Sequence, residues 1–272
     1  MKLQKKVIVL FLLIPLADVG LADELTSSFN KLKSKIERRH QTATTAVVSV
    51  RRNKNLEKLF NTTNRVEATK AVKKIEKMSI ATYRKYKMDE MCIINNKGHE
   101  VARIVNDKIA PPEDLSHEEA SAPFFAPTLN LKDREVHVSD PYMSPDSKRW
   151  VLSYSTPVVN KDGSKPALVH YEKYWGLYGN DLKNKLPKSQ YVNVIDKQGF
   201  VWFDSRKEIK LDSKKDSENP KDYFAQISKA YLAAISREEG EATVELEGKK
   251  THRIIYGRFP KTNLTLILGS EE

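Results

Sequence analysis

Between Glu24 and Met88 apolar residues return at helical intervals: Leu25, Phe29, Leu32 and Ile36, then Leu56, Leu59 and Phe60, then Val72, Ile75, Ile80 and Tyr83. The stretch contains neither Gly nor Pro. The spacing predicts one long helix, a short one, and a third of about 20 residues. Thr26 or Ser27 is placed to cap the first, and Asn61-Thr-Thr-Asn64 interrupts the pattern before a helix starting near Val66. With charge outside and one apolar stripe, the long helix reads as a spine packed along later sheets.

From Met91 the pattern becomes that of strands. Met91-Cys-Ile-Ile-Asn-Asn-Lys-Gly98 predicts a strand ending in a turn, and His99–Val105 its hairpin partner. Ile109–Leu131 carries Pro111, Pro112, Pro123 and Pro127 around Leu115–Ala120 and Phe124-Phe125. It fits a loop with a helical turn or two, crossing the sheet with two aromatics to bury. Glu135–Tyr174 holds three β-branched and aromatic runs separated by Pro145-Asp146 and Asp162-Gly163, hence three antiparallel strands completing a five-stranded sheet. Alternation puts Trp150, Leu152, Tyr154 and Thr156 on one face, and Arg149, Val151, Ser153 and Ser155 on the other. Both faces are partly apolar, so each requires a cover.

After Trp175 a polar, Lys-rich bridge, Asn180–Lys188, leads into a second unit that echoes the first about 100 residues on. Ile93-Ile94-Asn95 with Gly98 matches Val194-Ile195-Asp196 with Gly199. Glu135–Val138 matches Glu241–Val244, Trp150–Tyr154 matches His252–Tyr256, and Ala167–Tyr171 matches Leu264–Leu268. Four matches, each about 100 residues apart, indicate a tandem duplication. The second crossing segment, Lys207–Asn219, is polar and feeds a predicted helix from Pro220 to about Arg237, with Tyr223, Ile227, Tyr231 and Ile235 on one side.

Charge and composition add an address. Met-Lys-Leu-Gln-Lys-Lys, the apolar run Val7–Leu16, and small residues at Gly20 and Ala22 ahead of Asp23 predict a secretory signal peptide over 1–22. A run of about ten apolar residues falls short of the roughly 20 needed to span a bilayer. The competing reading, an anchor extended through Val19–Ala22, has to bury Asp18. The expected location is therefore periplasmic or secreted, after cleavage near Ala22. Cys92 is the only cysteine, so no intrachain disulfide forms, and its apolar neighbours predict a buried, inert thiol. Residues 31–87 hold 17 Lys or Arg against four Glu. Such a stretch attracts membrane head groups or acidic partners, or is simply a solvated face, and outside the cytoplasm nucleic acid is not an expected partner.

The order of parts resembles the double Cache sensor domain, a PAS-like extracytoplasmic ligand-binding module. The residues carrying the likeness are Val138–Asp146, Arg149–Pro157, Asp162-Gly163, Val169–Glu172 and the Val-Ile-Asp-x-x-Gly start of the second unit. The resemblance spans about residues 25–269. After the leader (1–22), it implies an α+β fold: a helical spine (23–88), a membrane-distal Cache module (89–178) and a membrane-proximal-type module (179–272). It also implies a ligand held in the first module, between sheet and crossing loop.

Amino-acid-binding members are similar in an Arg-x-Trp motif on that loop, a Tyr-x-Asp on the next strand and an acid on the last. Here Tyr142 matches the tyrosine, Ser144 stands at the aspartate and Glu172 at the last acid, while Phe124-Phe125 replace the tryptophan without a nearby arginine. That departure argues against an α-amino acid, whose carboxylate wants a bidentate guanidinium. An amine held by Glu172, with Trp150, Tyr142 and Tyr154 as aromatic walls, fits better. The expected ligand contacts are thus Phe124, Phe125, Tyr142, Ser144, Trp150, Tyr154 and Glu172. Each aromatic also reads as core. Glu172 is costly to bury without a partner, which would be a ligand or Arg149, and means nothing if it faces solvent.

No phosphate loop, zinc-protease motif or paired-cysteine motif is present, and the six histidines are scattered, so no cofactor, metal or catalysis is expected. A convergent arrangement using His137 and Asp140 leaves no sequence trace. The leading function is a small-molecule sensor module without an output domain of its own, acting through a membrane-bound signalling protein. The alternative is an interaction module with a self-filled pocket, docking through its basic helix.

Overall fold

The computed structural model describes residues 19–271 apart from 146, 177–178, 180–181, 183–185, 208–218, 247–249 and 260. Most of the leader (1–18) and most of the second crossing segment lie outside the described residues.

Three helices open the chain: α1 (Val19–Arg51), α2 (Lys54–Asn61) and α3 (Arg65–Tyr86). Asn53 and Asn64 cap α2 and α3 by accepting from backbone N–H groups of the first turn. The expected cap at Thr26 or Ser27 is corrected: both lie inside α1, which is already helical at Val19. Good helix formers such as Ala22 and Leu25 outweigh the few tenths of a kcal/mol that Ser and Thr cost mid-helix.

One face of α1 is the spine of the molecule. Phe29 packs against Gly257 of the second sheet, where a Cβ would stand 3.1 Å from its ring. His40 lies between Tyr154 and Phe259. At the far end Arg51 donates to the carbonyls of Pro157 (3.1 Å) and Val159 (2.6 Å) in the first sheet. No helix among the described residues is long and apolar enough to cross a membrane.

The first sheet has seven strands among the described residues: β1 (Glu90–Asn95), β2 (Glu100–Val105), β3 (Lys108–Ile109), β4 (His137–Val138), β5 (Tyr142–Met143), β6 (Trp150–Val158) and β7 (Ala167–Tyr174). Their order is β3-β2-β1-β7-β6-β4, with β5 also on β6. The expectation of five strands differs for two reasons. Asn106 and Asp107, both left-handed, fold a short β3 back on β2. Pro141, without an N–H, splits the predicted Glu135 strand into β4 and β5.

The second sheet comprises β8 (Gln190–Ile195), β9 (Val201–Asp204), β10 (Glu239–Leu246), β11 (Lys250–Arg258) and β12 (Thr265–Glu271), ordered β10-β11-β12-β8-β9. The topology repeats the first, and so do details. Pairing shifts by one residue at Ile93/Ile94 and again at Val194/Ile195. Gly98 and Gly199 close equivalent turns at φ 86° and 84°.

Two of the four sequence matches hold in register, and two are corrected. Tyr154 pairs with Tyr171, and Ile255 with Leu268, so Tyr154 corresponds to Ile255, one residue from the sequence match. Val138 pairs with Tyr154 and Glu241 with Ile255, which moves the Glu135 match by three. The predicted Pro220–Arg237 helix is also corrected. A single 3-10 turn (Pro220–Asp222) and α5 (Lys229–Ala234) form in its place, because Val201 donates to the carbonyl of Ala225 and Ile227 to that of Gly199, which keeps 225–227 extended.

Alternation decides what each face meets. The spine face of the first sheet carries Met91, Ile93, Ala102, Ile104, Leu152, Tyr154, Val169 and Tyr171, in one core with Phe29, Ile36 and Val47 of α1. The opposite face carries Cys92, Ile94 and Leu168 beneath Phe124 and Phe125.

Candidate functional site

The candidate site lies on that opposite face, beneath the crossing segment 109–131. Four bridges hold the roof down. Ser116 N–H donates to Glu100 (2.8 Å) and Glu119 N–H to the carbonyl of Gly98 (3.0 Å). The Thr128 hydroxyl of α4 (Phe125–Leu129) bonds Ser155 Oγ at 2.9 Å, and Lys165 Nζ donates to the carbonyl of Leu129 (2.7 Å). Phe124 thereby comes to lie flat on His170, with ring centroids 3.7 Å apart and planes 20° from parallel. Phe124 is 1% exposed, so roof and sheet are closed on each other here.

The polar centre is Tyr142, His170 and Glu172. Ser153 and Glu172 are register partners on β6 and β7, as are Val151 and Tyr142 on β6 and β5, which sets all of them on the roofed face. The Tyr142 hydroxyl donates to Glu172 Oε1 at 2.6 Å, and His170 Nε2 stands 3.4 Å from both oxygens. Burial, then the charge of Glu172, push the Tyr142 phenol well above its ordinary range, so it stays a neutral donor. Glu172 is only 4% exposed, and its Oε2 has no hydrogen-bond partner; neither has His170 Nδ1. A carboxylate held by one phenol and a longer contact to the His170 ring, with one oxygen idle, is under-compensated for its burial.

Four of the seven predicted contacts converge here: Phe124, Phe125, Tyr142 and Glu172. Trp150 and Tyr154 do not, and this is a correction. They face the spine: Tyr154 bonds His40 Nδ1 at 2.8 Å and stacks on Tyr171, and Trp150 packs edge-on against Trp202 and Phe224 at the joint between modules. The alternation placed them together correctly, but on the face away from the crossing loop. Ser144 organises the β5–β6 turn, its Oγ accepting from Ser147 N–H at 3.4 Å. Arg149 is not the partner of Glu172; its guanidinium lies 4.9 Å over the Tyr174 ring.

His170 is not among the predicted contacts. The signal that could have found it is its two-residue spacing from Glu172, which puts both on one face of a strand. Arg103, also missed, reaches this face but stands near Glu100 (3.6 Å) and Glu90 (4.0 Å). Asp140 does not orient His137. Asn263 of the second module engages both its oxygens, at 2.7 and 2.5 Å.

No family model matches the chain, and no curated protein does. Solved structures do match. The extracellular domain described for the histidine kinase vpHK1S-Z8 superposes with TM-score 0.69 at 14% identity, over 93% of this chain and 91% of that one. A domain of a sensory box/GGDEF family protein from Vibrio parahaemolyticus gives 0.69 at 12%, over 93% and 97%. The ligand-binding domain of the Campylobacter jejuni chemoreceptor Tlp3, in complex with L-norvaline, gives 0.68 at 12%, over 93% and 91%. The chain has the α+β double Cache fold, as the resemblance implied.

Proposed function

We propose that this protein is an extracytoplasmic sensor module that binds a small organic ligand bearing an amine beneath the first roof. The observation that carries the reading is Glu172: a buried carboxylate with one oxygen unpartnered, beside the neutral donor Tyr142 and the His170 ring. An ammonium group supplies the missing charge and donors together. Double Cache structures similar to this one include extracellular domains and the ligand-binding domain of a chemoreceptor, which supports the class of function. Binding requires Phe124 to leave His170, so the closed arrangement and a ligand-filled one form two states. A membrane-bound signalling protein that prefers one of them reads the change. The module binds without turnover.

One observation favours a second reading, an interaction module docking through its basic helices: Phe124 and Phe125 already fill the space beneath the roof. Thermal melting against a library of metabolic amines separates the two. A ligand at 100 times its dissociation constant adds about 2.7 kcal/mol, readily seen as a melting shift. Glu172→Gln should abolish that shift. A library without any shift moves the interaction module ahead.

A further inference from the structure

Away from the polar centre, the seam where the roof meets β2 brings two histidines together. His99, just before β2, and His117, in the crossing segment, lie with ring centroids 5.2 Å apart and planes at 84°. Both are exposed, whereas His40, His170 and His252 are buried and His137 is half-buried. Among the described residues no hydrogen bond or ion pair engages either ring, so both keep a nitrogen lone pair to offer.

Two imidazoles bound to one tetrahedral ion, at about 2.0–2.1 Å per metal–nitrogen bond, have ring centres roughly 5 Å apart, so these rings already stand at the separation that shared coordination demands. Their backbones are fixed there. His99 N–H donates to Asn95 Oδ1 (3.0 Å), and its carbonyl accepts from Asn95 N–H (2.8 Å). Across the seam Glu100 N–H donates to the carbonyl of Ser116 (2.9 Å), Ser116 N–H to the Glu100 carboxylate (2.8 Å), and Glu119 N–H to the carbonyl of Gly98 (3.0 Å). The two neighbours of His99 are thus bonded to residues on either side of His117. Closing on an ion orders only side-chain torsions, which keeps its entropic cost small.

We propose that His99 and His117 chelate one divalent transition-metal ion of zinc's class across the seam between roof and sheet, with waters in the remaining positions. Imidazole nitrogen selects such an ion over calcium and magnesium, which take oxygen donors. Each ring gives a nitrogen lone pair to the ion, and no oxidation state changes. The ion fastens the crossing segment to the first hairpin in parallel with the Ser116 and Glu119 bonds. This site is separate from Glu172 and does not rest on the amine reading.

The test is zinc titration of the untagged, chelator-treated full chain without any organic ligand, followed by calorimetry and by NMR of the histidine ring protons. One equivalent should bind and shift two histidine signals, the two that His99→Gln and His117→Gln remove. Each substitution should weaken binding at least about tenfold, because the second ring then no longer binds as part of a chelate. His137→Gln should leave binding unchanged, and metal-free melting of each variant establishes that it folds. Zinc should also slow hydrogen exchange at the Glu119 amide, which bonds across the seam. Exchange that zinc leaves unaltered would show that the ion does not fasten the roof. Absence of saturable binding to the wild-type chain overturns the proposal. So does tight binding that survives both substitutions, because the ion then sits elsewhere.

Discussion

The two sheets share one topology, one bulge and one spine, yet their outer faces are built differently. In the second module Ile195, Tyr231, Ile235, Val244, Ile254, Tyr256 and Ile267 form an apolar cluster under α5. Its buried acid is fully paired: Arg206 Nε and Nη2 each lie 3.0 Å from an Asp204 oxygen, and the guanidinium lies 3.8 Å over the Tyr191 ring. Burial raises the Asp204 carboxyl, but the Arg206 hydrogen bonds outweigh it and hold the group below its ordinary value. In the first module Glu172 has a phenol at 2.6 Å, the His170 ring at 3.4 Å and an idle oxygen. A buried charge compensated from within the chain is architecture. The one left short is where the proposed ligand would bind.

The largest effect that tests this contrast is on the roof itself. Phe124→Ala should cost about 3–5 kcal/mol in chemical denaturation, through lost burial and the cavity left on His170. A negligible loss would mean that Phe124 does not hold the first module closed.

The spine that both modules share gives the next effect. Burial, then the nearby charge of Lys261, lower the His40 pKa from 6.5 to about 4. The unfolded chain therefore takes up a proton as pH falls through 6.5, while the folded chain does not until about 4. Stability from this group is complete above pH 6.5 and declines by about 3 kcal/mol towards pH 4. His40→Gln should flatten that part of the stability–pH curve, read by urea denaturation at stepped pH.

The acids themselves follow. Asp204→Asn should cost about 2 kcal/mol, allowing for the partial exposure of Arg206. Glu172→Gln should cost less in the ligand-free protein, because only the Tyr142 hydroxyl and the His170 ring face its carboxylate and one oxygen has no partner. Equal losses at the two sites would erase the difference drawn between them.

The equivalent turns give the smallest contrast. A Cβ at Gly98 would stand 2.4 Å from Ala120 N, whereas at Gly199 it would meet the flexible Ile227 side chain at 3.0 Å. Both glycines have positive φ, so alanine at either costs about 1 kcal/mol. Gly98→Ala should melt lower still, because backbone cannot yield as a side-chain end does.

How far the sequence reached can be judged residue by residue. Leu25, Phe29, Leu32 and Ile36 recur as a helix does, and all four are buried along the spine. Phe124 and Phe125 stood among prolines where no element could hide them except the sheet below. Tyr142 and Glu172 were found through the likeness to a family and lie together at 2.6 Å. Trp150 and Tyr154 were misplaced because parity says which residues share a face, not which cover that face meets. The second-unit matches slipped by one and by three residues because similar strands can be aligned several ways. Only hydrogen-bonded pairing selects one.

The sequence by itself determined the spine, two sheets, a crossing segment rich in proline and aromatics, and an acid on the last strand of the first sheet. These follow from local periodicity and from the conformations that proline and glycine permit or forbid. The tertiary structure alone decided that Glu90, Cys92, Glu100, His170 and Glu172 share one roofed face while Trp150 and Tyr154 share the other. Residues as far apart in the chain as Glu90 and Glu172 become neighbours only through strand order and register, and a single bulge moves a side chain from one face to the other.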